Sequence, residues 1–359
     1  MAPVIARLQE RDDLFETRVC LTGQHKELSD PALQLFRIRC DYDFNIVREG
    51  AGLTFITNTI LKRIAEVLDD FPAERVLVHG DTTTTFAGSL GAFYRQIPVA
   101  HVEAGLRSGR LDAPWPEEAN RRLTSVLADL HFAPTELARQ NLLHEGVADQ
   151  SIVVTGNTVV DALLYVVKLI QDSKKFRAEL GACFRFLDPA KRLVLVTGHR
   201  RESFGEGFQR ICEALGELSR RTNVQIVYPV HLNPGVRNPV HRYLQGLANV
   251  HLIEPLSYEA FVYLMMQASV ILTDSGGVQE EAPSLGKPVL VMRDVTERPE
   301  ALEMATAELV GTDVARITAA AARILDAPAK PLANLPVRNP FGDGKAAERI
   351  VVRLAARGT

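Results

Sequence analysis

Short apolar runs alternate with longer amphipathic stretches along this chain. Runs rich in Val, Ile and Leu at 75–79, 97–102, 152–155, 193–197, 224–229 and 269–273 predict strands buried on both faces, as in parallel sheets. A helix is predicted from Pro116, with Pro and two Glu in its first turn and Ala119, Leu123, Val126, Leu127 and Leu130 along one face. This alternation predicts an α/β fold with doubly wound sheets. A long helix over 159–171 leads into a charged, irregular stretch at 172–191, and a fresh strand opens at Leu193. The break between two domains is therefore expected after Asn157.

Polar residues gather where the predicted strands end, which is where open α/β sheets bind ligands. Asp81 follows the strand at 76–80, Glu103 the strand at 99–102, His199 the strand at 194–198 and His231 the strand at 226–230. They come from both halves of the chain, so the site is expected in a cleft between two domains. The segment TDSGGVQEEAPSLGKPVL at 273–290 carries the most information. A buried strand runs into Asp274-Ser275-Gly276-Gly277, then into a segment bearing Glu280 and Glu281. Glycines admit close backbone approach, and a helix start attracts phosphate. The carboxylates suit ribose or sugar hydroxyls, so the segment points to a nucleotide sugar.

Each candidate also has a plainer reading. Asp81, in HGDTTTT, suits a helix N-cap. Glu103, in HVEAGLR, could pair with Arg107. Glu117, in PWPEEANR, could serve only the helix dipole. His199, Arg200 and Arg201 form a cationic group suited to diphosphate, while His231 could be structural. As a set, carboxylates that can move a proton and cations that can stabilise a leaving diphosphate are harder to explain away.

Bulk properties narrow the choice. The chain has 359 residues, room for two cores, and a net charge of -3 that argues against a nucleic-acid surface. No apolar run is long enough for a membrane span and no leader is evident, so a cytoplasmic location is expected. Cys20, Cys40, Cys183 and Cys212 are widely spaced and are expected to be buried thiols. There is no G-x-G-x-x-G after a strand, no P-loop and no zincin motif, so neither nicotinamide nor metal is called for.

The motifs HGDTTTT, HVEAGLRSG, PWPEEANR, TGNTVVDAL, TGHRRESFG, YPVHLNP, DSGGVQEEAPSLGKPVL, RDVTERPE and NPFGDG together resemble the non-hydrolysing UDP-N-acetylglucosamine 2-epimerases of bacteria. The likeness runs from the first residue to about Arg349. It implies a GT-B type fold, two Rossmann-like domains facing across a cleft, at 1–158 and 159–342, with a C-terminal helix at 343–359 completing the first. It further implies a homodimer, no cofactor, and interconversion of UDP-GlcNAc and UDP-ManNAc by elimination of UDP to 2-acetamidoglucal and re-addition, for surface polysaccharide. Asp81, Glu103 and Glu117 match the family's catalytic carboxylates, and His199 the histidine near the phosphates. Arg200, His231, Ser275, Gly276, Gly277 and Glu281 fall in its UDP-binding motifs, with Phe261 near the uracil. Gln24 and His25 match part of an allosteric site, although Glu27 and Gly50 depart from it.

The family also begins with one further strand and a G-T-R-P-E-A loop, whereas this chain starts inside the following helix. The expectation is a start assigned too far downstream; a chain truly lacking the strand would fold weakly and show little activity. Rival readings are a hydrolysing epimerase, a GT-B glycosyltransferase and a non-catalytic UDP-sugar binder.

Overall fold

Parallel strands form the centre of each of two units, Met1–Ala162 with Phe341–Thr359 and Leu163–Pro340. The computed structural model describes residues 1–24, 26–46, 52–200, 204–296, 298–303, 307–328 and 339–356. The first unit runs α1 (Ala2–Gln9), β1 (Cys20–Leu21), α2 (Lys26–Leu35), β2 (Tyr42–Asp43), α3 (Leu53–Asp70), β3 (Val76–His79) and α4 (Thr83–Phe93). It continues through β4 (Val99–Val102), α5 (Glu117–Leu127), β5 (Leu130–Ala133), α6 (Glu136–His144) and β6 (Ile152–Val154). The division between units passes through α7 (Thr158–Asp172).

The second unit contains α8 (Lys174–Cys183), β7 (Arg192–Thr197), α9 (Glu206–Leu218), β8 (Val224–Pro229), α10 (Pro234–Leu244), β9 (Val250–Ile253) and α11 (Tyr258–Gln267). Then come β10 (Val270–Thr273), α12 (Gly276–Glu281), β11 (Val289–Val291), α13 (Pro299–Glu303), β12 (Ala307–Leu309) and α14 (Val314–Asp326). Finally, α15 (Ala346–Ala355) lies in the first unit.

In the first unit the described strands form a parallel sheet in the order β3-β4-β5-β6 and a separate parallel pair, β1-β2. Ala100, Val102, Leu130 and Phe132 of the larger sheet pack with Val4 and Leu8 of α1 and with Ile350, Val351 and Leu354 of α15. Helix α4 meets α3 closely at Gly91, where a Cβ would come within 2.3 Å of Ile64. A larger residue there would have to displace the Ile64 side chain.

The second unit has one six-stranded parallel sheet among the described residues, in the order β12-β11-β10-β7-β8-β9. Its four central strands, β11, β10, β7 and β8, are buried on both faces, with Val194, Val196, Ile226, Val270 and Leu272 in one continuous core with α9, α10 and α14. The strand order reverses between β10 and β7, whose last residues, Thr273 and Thr197, are register partners. Such a switch point leaves a crevice at the carboxyl ends of its two strands.

The apolar runs did become strands, but β1, β2, β5, β9, β11 and β12 lie outside the runs named from the sequence. Leu130, expected on the helix after Pro116, opens β5 instead. The rest of that helix inverts the expected pattern. Leu123 and Val126 are exposed, whereas Glu118, Asn120, Arg121, Thr124 and Ser125 are buried. The polar face of α5 turns inward because its partners there are the charged residues described below. The cysteines also differ from expectation, since Cys212 is buried but Cys183 is exposed. Among the described residues no helix is long and apolar enough to cross a membrane.

Candidate active site

In the first unit, three expected carboxylates lie at the ends of β3 and β4 and at the start of α5. Gly80 turns the chain out of β3 at a φ of +71°, which glycine tolerates, and Asp81 follows. Asp81 is not the N-cap of α4; Thr82 is, its hydroxyl accepting the Thr85 N–H. Instead Asp81 Oδ2 accepts Arg121 Nε at 3.0 Å, and the Asp81 carbonyl accepts Asn120 Nδ2 at 2.9 Å. Glu117 is half-buried as the first residue of the same helix.

Glu118, beside it, is fully buried. Its Oε2 accepts the Ser108 N–H and Arg121 Nη1, each at 3.0 Å, and its Oε1 accepts Arg122 Nε at 3.3 Å. Burial works against this carboxylate, but the Ser108 N–H and Arg121 outweigh it and hold its pKa below the ordinary value. Thus Glu118 anchors α5 through these contacts.

Glu103 does not pair with Arg107, whose Nε and Nη2 donate to Glu145 at 2.8 and 2.7 Å. Glu103 leaves β4 with a φ of +65°, and its Oε1 accepts Asn157 Nδ2 at 2.9 Å. A Cβ on Gly80 would stand 3.1 Å from Glu103 Oε2, so the Glu103 carboxylate lies against the residue that precedes Asp81.

The second unit assembles its set at the switch point. His199 and Arg200 follow β7, and Asp274 and Ser275 follow β10. Asp274, fully buried, accepts the backbone N–H groups of His199 and Arg200 through Oδ2, each at 2.8 Å. Its Oδ1 lies 3.4 Å from His199 Nδ1. The His199 ring stacks on His231, with centroids 5.7 Å apart and planes at 20°. Burial lowers the His199 pKa below its ordinary value, Asp274 opposes that shift, and His231 and Arg200 add to it. An arriving diphosphate would favour the protonated ring.

Ser275 precedes α12 without capping it through its side chain, so its hydroxyl is not committed to the helix start. A Cβ on Gly276 would stand 2.9 Å from the Arg298 guanidinium carbon, so a larger residue there would displace that side chain. Arg298 Nε donates to Glu280 at 2.8 Å, which neutralises one of the two carboxylates in this segment. The other, Glu281, accepts a hydrogen bond from the Tyr258 hydroxyl. Burial raises the Glu281 pKa to about 8; the Tyr258 hydrogen bond opposes this and Glu280 adds to it. Phe261 lies one turn along α11 from Tyr258, hence on the same helix face.

Asn157, Arg121, Asp274 and Tyr258 hold the candidate residues in place, and sequence reasoning assigned none of them a role. Asp274 stood in plain view in the DSGG turn; nothing local marked the other three. Gln24, expected at an allosteric site, accepts the Thr84 hydroxyl at 2.8 Å and the Thr84 N–H at 3.2 Å. His25, Gly50 and Arg201 lie outside the described residues, as does the side chain of Glu27. No group of three or more His, Cys, Asp or Glu among the described residues could hold a metal ion.

Comparison with known proteins identifies the family. The sequence pattern of the family described as UDP-N-acetylglucosamine 2-epimerase matches residues 7–355. The Escherichia coli K12 UDP-N-acetylglucosamine 2-epimerase is 57% identical over 355 residues, covering 99% of this chain and 94% of that protein. The crystal structure of the Neisseria meningitidis UDP-GlcNAc 2-epimerase, bound to UDP-GlcNAc, is 47% identical and superposes with a TM-score of 0.91, covering 99% of this chain and 96% of that one. The Methanocaldococcus jannaschii UDP-GlcNAc 2-epimerase, in complex with UDP-GlcNAc and UDP, is 33% identical with a TM-score of 0.82, covering 99% and 95%. The fold class is therefore α/β of the GT-B type, with parallel sheets in separate units. By sequence and by fold, this chain belongs to the UDP-N-acetylglucosamine 2-epimerase family.

Proposed function

We propose that this chain interconverts UDP-GlcNAc and UDP-ManNAc, eliminating UDP across C1–C2 and re-adding it from the bound pair. The observation that carries this reading is the chemical division between the two sets. One unit carries the carboxylates Asp81 and Glu103 after strand ends and Glu117 at the start of α5. The other places His199, Arg200, Ser275 and the glycines at a switch point, with Glu281 nearby.

The C2 proton of the sugar is not adjacent to a ketone, so direct carbanion formation is disfavoured. Elimination avoids that difficulty. A carboxylate takes the C2 proton as the C1–O bond breaks, the electron pair forms the C1–C2 double bond, and UDP departs with the other pair. His199 and Arg200 stabilise the departing diphosphate. Return of a proton to the opposite face of C2, with re-addition of UDP at C1, completes the epimerisation with no net change in oxidation state. Glu281 accepts from the ribose hydroxyls, His231 and Ser275 support the phosphates, and Phe261 lies by the uracil.

The reading includes a homodimer, a cytoplasmic location and supply of UDP-ManNAc to surface polysaccharide. The cysteines are free thiols, which suits a reducing compartment.

Proton NMR of UDP-GlcNAc with the purified chain in D₂O tests the reaction. Loss of the C2 proton signal as UDP-ManNAc appears is the expected result. Free ManNAc and UDP would establish the hydrolysing activity instead. UDP binding without turnover would leave only a nucleotide-sugar binder.

A further inference from the structure

We infer that Asn157 is a positioning residue that sets the orientation of the Glu103 carboxylate; the inference rests on the reading of Glu103 as a carboxylate acting on the sugar. Glu103 has a backbone φ of +65°, a left-handed conformation that is unfavourable for a side-chain-bearing residue. Such a conformation persists only where surrounding contacts fix it. On the side chain, that contact is the hydrogen bond from Asn157 Nδ2 to Oε1 at 2.9 Å.

The Asn157 amide has little freedom to turn. The residue is 3% exposed. Its Oδ1 accepts the Val159 N–H at 3.2 Å, at the start of α7, so the nitrogen is the end that faces Glu103. Its backbone N–H donates to the Phe341 carbonyl at 2.6 Å. The preceding Gly156, at a φ of +88°, packs so closely on Gly342 that a Cβ would stand 3.1 Å from the Gly342 Cα. Asn157 is thus anchored by α7 on one side and by the return of the chain at Phe341 on the other.

With Oε1 held, Oε2 is the oxygen left for proton transfer, in a fixed direction. It lies 4.0 Å from His79 Nε2 and faces Gly80, whose missing side chain leaves it room. An asparagine that only capped α7 would need no amide nitrogen, because serine and aspartate cap as well. That difference separates the two roles.

The test uses Asn157→Ser and Asn157→Asp in the full chain, each made also on a Glu103→Gln background. Both substitutions preserve an oxygen for the Val159 N–H and remove the amide donor. Loss of a hydrogen bond to a charged group corresponds to a fall in kcat of about 10- to 100-fold, with KM changed less than about threefold and the thermal midpoint close to that of the parent. On the Glu103→Gln background the same substitutions should cost little more, because their effect runs through Glu103. Parental kcat in Asn157→Ser and Asn157→Asp, with kcat reduced in Glu103→Gln, would overturn the role of Asn157 alone. An equal fall on both backgrounds would also overturn it, since Asn157 would then act independently of Glu103. Full activity in Glu103→Gln would remove the assignment of Glu103 itself, and this inference with it.

Discussion

Arg121 closes on Asp81 with two nitrogens of its guanidinium, Nε at 3.0 Å and Nη2 at 2.7 Å from Oδ2. Its third nitrogen, Nη1, reaches the buried Glu118 at 3.0 Å. One planar group therefore ties the end of β3 to α5, the helix that begins with Glu117. Arg121→Met would leave Glu118 buried with less compensation and should destabilise the protein by about 3 kcal/mol, read by urea denaturation. Arg121→Lys keeps the charge but loses the fork, so it should retain most stability while kcat falls about tenfold. Wild-type kcat in Arg121→Lys would show that the orientation of Asp81 does not matter.

Asp274 supports His199 in the second unit through the N–H groups of the loop and through its charge. Burial depresses the imidazole, and Asp274 is the main influence resisting it. Asp274→Asn should therefore move the His199 titration to lower pH and weaken the hold on UDP. Two-dimensional NMR of the ring protons follows the first effect and calorimetry the second. An upward or absent shift would mean that Asp274 acts only as a loop brace.

Acid should weaken the fold through its buried histidines. Burial lowers the pKa of His101 from 6.5 to about 3 and that of His131 from 6.5 to about 4. Below the unfolded value of 6.5 the unfolded chain binds protons that the folded chain refuses, so stability falls as pH falls from 6.5 towards those values. At pH 4.5 each group would contribute a loss on the order of 2 kcal/mol. Glu281, raised to about 8, has the opposite slope: between 4.5 and 8 the folded state holds a proton that the unfolded chain releases. Urea titrations from pH 7.5 to 4.5 should show His101→Gln flattening the acid loss and Glu281→Gln steepening it. Parallel curves for all three proteins would refute these assignments.

On α5, Val126 is 83% and Leu123 48% exposed; α4, which packs on α5, ends in Phe93 at 55%, followed by Tyr94 at 69%. These side chains serve to test the homodimer proposed above. Leu123→Asp with Val126→Asp should convert a dimer to a monomer in light scattering after gel filtration, with the parallel sheets retained by circular dichroism. Dimers surviving both charges would place the interface elsewhere.

Six of the strands, β3, β4, β6, β7, β8 and β10, and the loops after them were legible in the linear chain. A buried parallel strand is an unbroken apolar run, and the glycine or acidic residue that ends it is its immediate neighbour, as at Gly80-Asp81 and in Asp274-Ser275-Gly276. Local chemistry was enough there, because period and punctuation are both short-range. The partners of the site residues were not legible. Arg121 lies 40 residues from Asp81, Asn157 lies 54 from Glu103, and His199 lies 75 from Asp274. No periodicity records a contact at such separations; the sheet order creates it. The same cause inverted α5. Its heptad-like leucines and valines suggested a core face, but the neighbouring Asp81 and Ser108 gave its polar residues inward partners, and the apolar ones were left at the surface. Strand register and crossover decide which charges meet, because a buried carboxylate is stable only where the fold brings it a donor.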